Sequence, residues 1–456
     1  MLEKMISSEY RMIMLGYKLG GMRPFIAVTD RIRSSSLFVD CLLFFYFITL
    51  SGELLHIELG LFKPRVNHVV SFFLFVFVVK TQKKFRYDKD LLWPLLLLFC
   101  SIIASAVFGA SVIRSLVYGI VYLLTVCFYF ILPYNLFYFY NPSRLFKIYF
   151  LSFIVLGVYA LLQVICSFQG VILPFVSQYA IKIARGQGWN YEPSYYALLM
   201  TGFVMYYNAQ ALIHVDRPIR WIRCAWINLL LLASTSTGIV FSYPVFVALY
   251  FCLGVMESTK RYVKDVKKRA LQIFCCFLLF MGLLFWSFPN QFRVTFYKFF
   301  ALGITKHWSV QERWTGIENA FDVFTQHPIL GVGIGGVGPY LYSRFDAGAV
   351  AVHLQDVEKY DPSNVFSEIL ASLGLIGACV FCLIVRSYWK VFRQAMDPIL
   401  MIPIDERRRI IALFLSLLTL MIVLQFNQGL FRSYVWVHAA MVLGYTRMTL
   451  LENSKQ

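Results

Sequence analysis

Arg185 and Glu192 stand seven residues apart in Ala184-Arg185-Gly186-Gln187-Gly188-Trp189-Asn190-Tyr191-Glu192-Pro193-Ser194, with Lys182 just ahead of them. A guanidinium makes bidentate hydrogen bonds to phosphate oxygens and stabilises the negative charge of a departing phosphate without a metal. A carboxylate made more basic by burial can take a proton from an attacking hydroxyl, and Glu192 either does this or pairs with Arg185. Trp189 and Tyr191, in the same glycine-rich loop, suit stacking on a sugar ring. A second arginine, Arg313, precedes Trp314, and its plain alternative is a salt bridge with Glu312 or Glu318. His327, Arg344, Asn364, Glu368 and Arg432 are further binding candidates. His327 precedes Pro328 and reads equally as a helix stop, and Arg344 and Arg432 as surface contacts. Asn364 and Glu368 are either site residues or an ordinary helix start, where an acid suits the dipole.

The elements that must position these residues are membrane helices. Of 456 residues, 59% are hydrophobic and 14% charged, against roughly 45–50% and 25% in a soluble globular protein. The fold class expected is all-α and polytopic, with about 12 transmembrane helices at roughly 37–55, 66–79, 91–110, 115–133, 148–168, 194–213, 221–236, 239–256, 271–288, 363–385, 410–428 and 433–450. A cytoplasmic N-terminus puts 30 of the 42 Lys and Arg on inner segments, including Lys80 to Lys89, Lys260 to Arg269 and Arg407 to Arg409. That accounts for most of the formal charge of +18 without nucleic acid and places both termini in the cytoplasm. Residues 1–36 form a basic cytoplasmic segment, not a cleaved signal peptide, and 451–456 a cytoplasmic tail. Ten cysteines sit in or beside apolar runs, and Cys379-x-x-Cys382 reads as buried packing, not zinc or redox chemistry.

Helices one to nine (37–288) and ten to twelve (363–450) flank one long external loop, 289–362. Ser309-Val310-Gln311-Glu312 is a capping box, and Val310, Trp314, Ile317, Phe321 and Phe324 follow as one apolar face of a helix over 310–326 that lies on the membrane or caps the bundle. Gly333, Gly335 and Gly338 satisfy G-x-G-x-x-G, but no strand or βαβ unit frames them. Their expected role is backbone, either close approach to a helix or ligand or N–H groups forming an anion nest. Asp356, Glu358 and Asp361 read as a solvated acidic loop, so no metal is assigned.

Arg313-Trp314 leading through Phe321, Phe324 and His327-Pro328 into Leu330-Gly331-Val332-Gly333, then Ser363-Asn364 and Glu368 before Leu373-Gly374-Leu375-Ile376-Gly377, resembles the signature region of bacterial O-antigen polymerases and O-antigen ligases. The stretch covers 313–377, and the Thr237-Gly238 turn and the glycine-rich segment before Glu192-Pro193 agree with it. The resemblance implies a type C glycosyltransferase-like fold and an inverting, cofactor-free and metal-independent enzyme of the bacterial inner membrane. Its donor and acceptor would be undecaprenyl-diphosphate-linked oligosaccharides, with membrane lipid and a chain-length regulator protein as further partners. The ligase branch carries a His-Asn pair where this chain has Ser363-Asn364, and the nearest histidine, His353, lies ten residues upstream. That departure favours a polymerase, with a ligase as the alternative. The rival class is a transporter or flippase, which calls for repeated halves and broken helices with midplane polar groups. Here the halves look unlike, and the polar, glycine-rich material gathers in two outer loops.

Overall fold

The computed structural model describes residues 37–56, 65–81, 85–177, 179–180, 183–213, 219–234, 236–263, 268, 271–272, 275, 282, 308–345, 360–362, 364–426 and 431–454. The N-terminal segment, most of the ninth expected span, the acidic residues Asp356 and Glu358, Lys182 and Ser363 lie outside the described residues.

Helices α1 (Leu37–Ile48), α2 (Val66–Thr81) and α3 (Lys89–Val107) lead into α4 (Val112–Thr125), which runs through a π-helical stretch, Val126–Ile131, into α5 (Leu132–Phe139). Then come α6 (Pro142–Phe168), a two-residue hairpin of β1 (Tyr179–Ala180) and β2 (Ile183–Ala184), α7 (Pro193–Ile213), α8 (Ile219–Leu232) and α9 (Thr237–Val255). The helices α10 (Trp308–Gln326) and α11 (Val337–Phe345) of the long loop precede α12 (Val365–Met396), α13 (Ile404–Val423) and α14 (Ser433–Asn453). The protein is an all-α, multi-pass membrane protein. Its helix starts follow capping chemistry: Asn141, ahead of Pro142, accepts from Ser143 N at 2.9 Å, Asp88 from Asp90 N at 3.0 Å, and Asn364 from Ser367 N at 2.9 Å.

Four described segments are long and apolar enough to cross a bilayer by length and composition: Lys89–Val107, Val112–Phe139, Pro142–Phe168 and Val365–Met396. Several run past the expected spans, because α4 continues through the π-helical stretch and α12 carries on into a polar half with Arg386, Lys390 and Arg393. α7, α13 and α14 do not reach that measure, although they are the most enclosed helices. α7 packs along α13, and Phe203 of α7 stacks on Phe153 of α6 at 4.9 Å. Enclosed helices face other helices rather than lipid, so they carry Thr201, Ser416, Thr419, His438 and Thr446, all buried. Cys379 and Cys382 are exposed on α12, not buried as their apolar setting suggested; on a lipid-facing helix an apolar side chain points outward.

The helical backbone of α12 breaks at Gly374, whose φ of 63° and ψ of −159° leave the helical region. The glycine segment after α10 is stitched into that break. Val332 N donates to Ala371 O at 3.0 Å and Gly333 N to Ser372 O at 3.0 Å, while Leu375 N donates to Pro328 O at 2.8 Å. A Cβ on Gly331 would lie 2.4 Å from the carbonyl carbon of Ser372, and one on Gly374 would lie 2.3 Å from Ile329 O. Only glycine lets the two main chains meet so closely.

α10 packs on α12 through Ala320 and Val323, which with Val332, Val337, Leu341 and Ala371 form a small separate core. The apolar stripe read from periodicity is not the face that meets α12: Trp314 is 62% exposed and Phe321 45% exposed. The helix has a bulky apolar stripe and a small one, and the small one fits the close approach to α12.

Candidate functional site

The outer loops of the expected topology meet at one end of the bundle. Leu54 N donates to Trp189 O at 3.2 Å, Ala110 N to Val332 O at 3.0 Å and Gly186 N to Ala233 O at 2.9 Å. At the opposite end Asp90 accepts from Lys390 at 2.9 Å and from Arg447 at 3.1 Å, joining the start of α3 to the last turns of α12 and α14.

Arg185 follows directly on β2. Its Nε donates to Ser234 O at 3.2 Å, which ties the loop to the turn between α8 and α9. Burial pulls the Arg185 pKa below the usual arginine value, Glu192 opposes that, and Arg313 adds to it. Glu192 and Arg313 thus both act on Arg185, although Arg313 comes from α10, inside the long loop between α9 and α12. Arg313 reaches inward because it shares a face of α10 with Gly316, Ala320 and Val323, the buried side of that helix. Glu192 precedes Pro193 at the start of α7, and its Oε2 accepts from Ser194 Oγ at 2.9 Å.

Arg432, just ahead of α14, pairs with Glu53 from the turn after α1, and its guanidinium carbon lies 3.7 Å from the centroid of the Tyr195 ring. Burial works against the charge of Arg432, but Glu53, with Tyr195 and Tyr434, more than offsets it and holds the group above its ordinary value. Glu53 also lies 3.6 Å from Arg65 and accepts from Tyr191 N at 3.3 Å. One buried carboxylate therefore holds the first external turn, the arginine loop and the start of α14 together. Glu53 was missed in the sequence; the available signal was an ionisable residue beside an apolar helix in Ser51-Gly52-Glu53-Leu54.

The other candidates divide. Trp189 lies tilted 6.1 Å from the Tyr159 ring, and Tyr191 is 61% exposed beside it in sequence. Trp314 donates to Glu318 at 2.6 Å on the outer face of α10. Arg344 sits in an exposed pair with Asp322 at 2.7 Å, and His327 meets Tyr340 edge-on at 5.2 Å. Asn364 caps α12 and donates from Nδ2 to Gln425 O at 2.7 Å, so its side chain holds structure. Gly333 and Gly335 need correction as binding residues. The Gly333 N–H is bonded to Ser372, and a Cβ on either glycine would come 2.5 Å from Ser115 Oγ or Tyr118. They make a packing seam, not an anion nest. Asp361, read as part of a solvated loop, instead accepts from Arg114 at 2.9 Å and from Gly338 N at 3.1 Å.

Residues 224–382, from α8 into α12, match the family model described as O-antigen ligase. Over these residues, about a third of the chain, the protein is similar to that family. The match holds Arg313, the glycine seam and Glu368, while Glu53, Arg185, Glu192 and Arg432 lie outside it. It gives no support to a flippase. No curated protein matches the chain.

Proposed function

We propose that the protein is a polysaccharide polymerase that joins undecaprenyl-diphosphate-linked oligosaccharide repeat units at the outer face of the bacterial inner membrane, with both termini in the cytoplasm. The observation that supports this reading is that Glu192, from the same loop, and Arg313, from α10, both act on Arg185, so that two cations and one anion gather at one end of the bundle. The excess of positive charge suits a diphosphate. ATP is absent outside the membrane, so a bond-forming enzyme there needs a donor whose leaving group is already activated, and a lipid diphosphate is such a donor.

A hydroxyl on the non-reducing sugar of a new lipid-linked unit attacks the anomeric carbon of the growing glycan. The bond to the diphosphate breaks, and the electron pair leaves onto phosphate oxygens held by Arg185 and Arg313. Glu192 limits repulsion between the two arginines. Trp189, Tyr191 and Trp314 offer aromatic surfaces for sugars, and Lys182 adds positive charge to the same loop. The reaction inverts the anomeric centre and calls for no cofactor or metal, and a chain-length regulator is a natural protein partner.

The family's description as O-antigen ligase favours a second reading, a ligase that moves finished glycan from the lipid carrier to lipid A–core. Ser363 in place of the ligase branch's histidine supports the polymerase. Gel analysis of surface glycan from a strain lacking the gene, with the lipid-carrier pool extracted in parallel, separates them. Core bearing one repeat unit without a ladder is the expected result. Bare core, with full-length glycan trapped on the carrier, would make the protein a ligase.

A further inference from the structure

The acceptor hydroxyl has to lose a proton, and the reading above leaves the group that takes it unassigned. The described carboxylates of the outer end are mostly committed to partners. Glu53 holds Arg432, Arg65 and Tyr191 N, and Asp361 holds Arg114 and Gly338 N. Glu192 accepts from Ser194, Glu318 from Trp314 and Asp322 from Arg344. Glu368, in the first turn of α12, differs: its Oε2 is shut off from solvent and finds no hydrogen-bond partner among the described residues. A buried carboxylate oxygen left unbonded is costly, so its persistence calls for a reason.

Its surroundings supply one. Arg432 and Asp361 are the charged groups that act on Glu368, and Tyr118 of α4 lies within its electrostatic reach. Tyr118 in turn packs against Phe431 at 5.4 Å, the residue before Arg432. Glu368 therefore borders the cluster of Arg432, Glu53 and Tyr195, on which Arg313 and Glu192 also act. The residue as a whole keeps partial exposure, and rotation about its last torsion, which is broad and two-fold, exchanges the inward and outward oxygens.

We infer that Glu368 is the catalytic base, binding the acceptor sugar hydroxyl and taking its proton. The inference rests on the glycosyl-transfer reading above. The O–H bond breaks with its proton passing to the Glu368 carboxylate, and the oxygen's electron pair forms the bond to the anomeric carbon. The carbon–oxygen bond to the diphosphate breaks with its pair leaving on phosphate, and the proton is later lost to water. Glu192, held by Ser194 and facing Arg185, stays the counter-charge.

The test uses the full-length protein in proteoliposomes, with lipid-diphosphate-linked repeat units as donor and either the same units or lipid A–core as acceptor. Turnover is expressed per folded, monodisperse protein. Glu368→Gln keeps the shape and removes the basic oxygen, and turnover should fall by about 100-fold or more. Glu368→Asp retains a carboxylate and should exceed Glu368→Gln by about tenfold. Glu368→Gln turning over within about threefold of wild type would overturn the assignment, as would equal losses in the two variants, since a carboxylate would then confer nothing. Wild-type protein that serves only lipid A–core would refute the polymerase reading while the same variants still decide the role of Glu368 with that acceptor.

Discussion

Gly331→Ala should cripple the fold while Gly170→Ala, at nearly the same backbone geometry, should not. Both glycines have positive φ, 67° and 76°. An L-residue in the left-handed region loses about 1–2 kcal/mol. At Gly170 nothing lies within 4 Å of an added Cβ, so that figure is the whole expected effect. At Gly331 the Cβ would meet main-chain atoms, Ser372 C at 2.4 Å and Ala371 O at 2.5 Å, which cannot rotate away. The seam must open. Losing the bonds from Val332 N to Ala371 O and from Gly333 N to Ser372 O costs about 1 kcal/mol each, and displaced packing roughly 1–3 kcal/mol more. Gly331→Ala should therefore exceed Gly170→Ala by about 3–5 kcal/mol, more than a hundredfold in the folding equilibrium. Denaturant titration of both purified proteins in mild detergent measures the difference. Effects within about 1 kcal/mol of each other would show that the seam does not hold α10 to α12.

Arg185→Ala or Arg313→Ala should abolish long glycan chains with the protein still present in the membrane, scored by glycan gel and immunoblot; normal chains from both would sink the site assignment. Glu53→Ala strands the Arg432 guanidinium, whose side chain is 20% exposed, and should destabilise the protein by about 3 kcal/mol, the low end for breaking a buried pair because some solvent reaches the charge. Combining it with Arg432→Ala should recover part of that loss in the same titration, whereas additive losses would mean that the two residues act separately. On α10, Ala320→Leu should cost about 1–3 kcal/mol because Ala320 is 1% exposed against α12, while Trp314→Ala on the outer face should change stability by less than 1 kcal/mol. The reverse order would restore the face read from periodicity.

The arginine loop and Arg313 were legible because charged residues are sparse in so apolar a chain, and those that occur outside the basic inner segments stand out. Glu53 was not, since its partner Arg432 lies 379 positions away and neither residue sits in a motif. The glycines announced a backbone role but not which one: the seam joins 328–333 to 371–376, and nothing local in either segment specifies the other. Periodicity found an apolar stripe on α10 but not the face that meets α12, because side-chain volume, not hydrophobicity, decides which face fits a helix at close range. The expected spans 194–213, 410–428 and 433–450 found α7, α13 and α14, although these helices face protein rather than lipid and carry more polar residues.

That division among the helices bears on how the chain enters a membrane. A helix such as α3, α4 or α6 can partition into lipid by itself, whereas α7, α13 and α14 carry too much polar surface to do so readily alone. Along the chain the self-sufficient helices come first: α3, α4 and α6 precede α7, and α12 precedes α13 and α14. α13 and α14 thus emerge when α7, along which α13 packs, and α12 are already in place, and synthesis order itself becomes part of what makes the buried centre attainable.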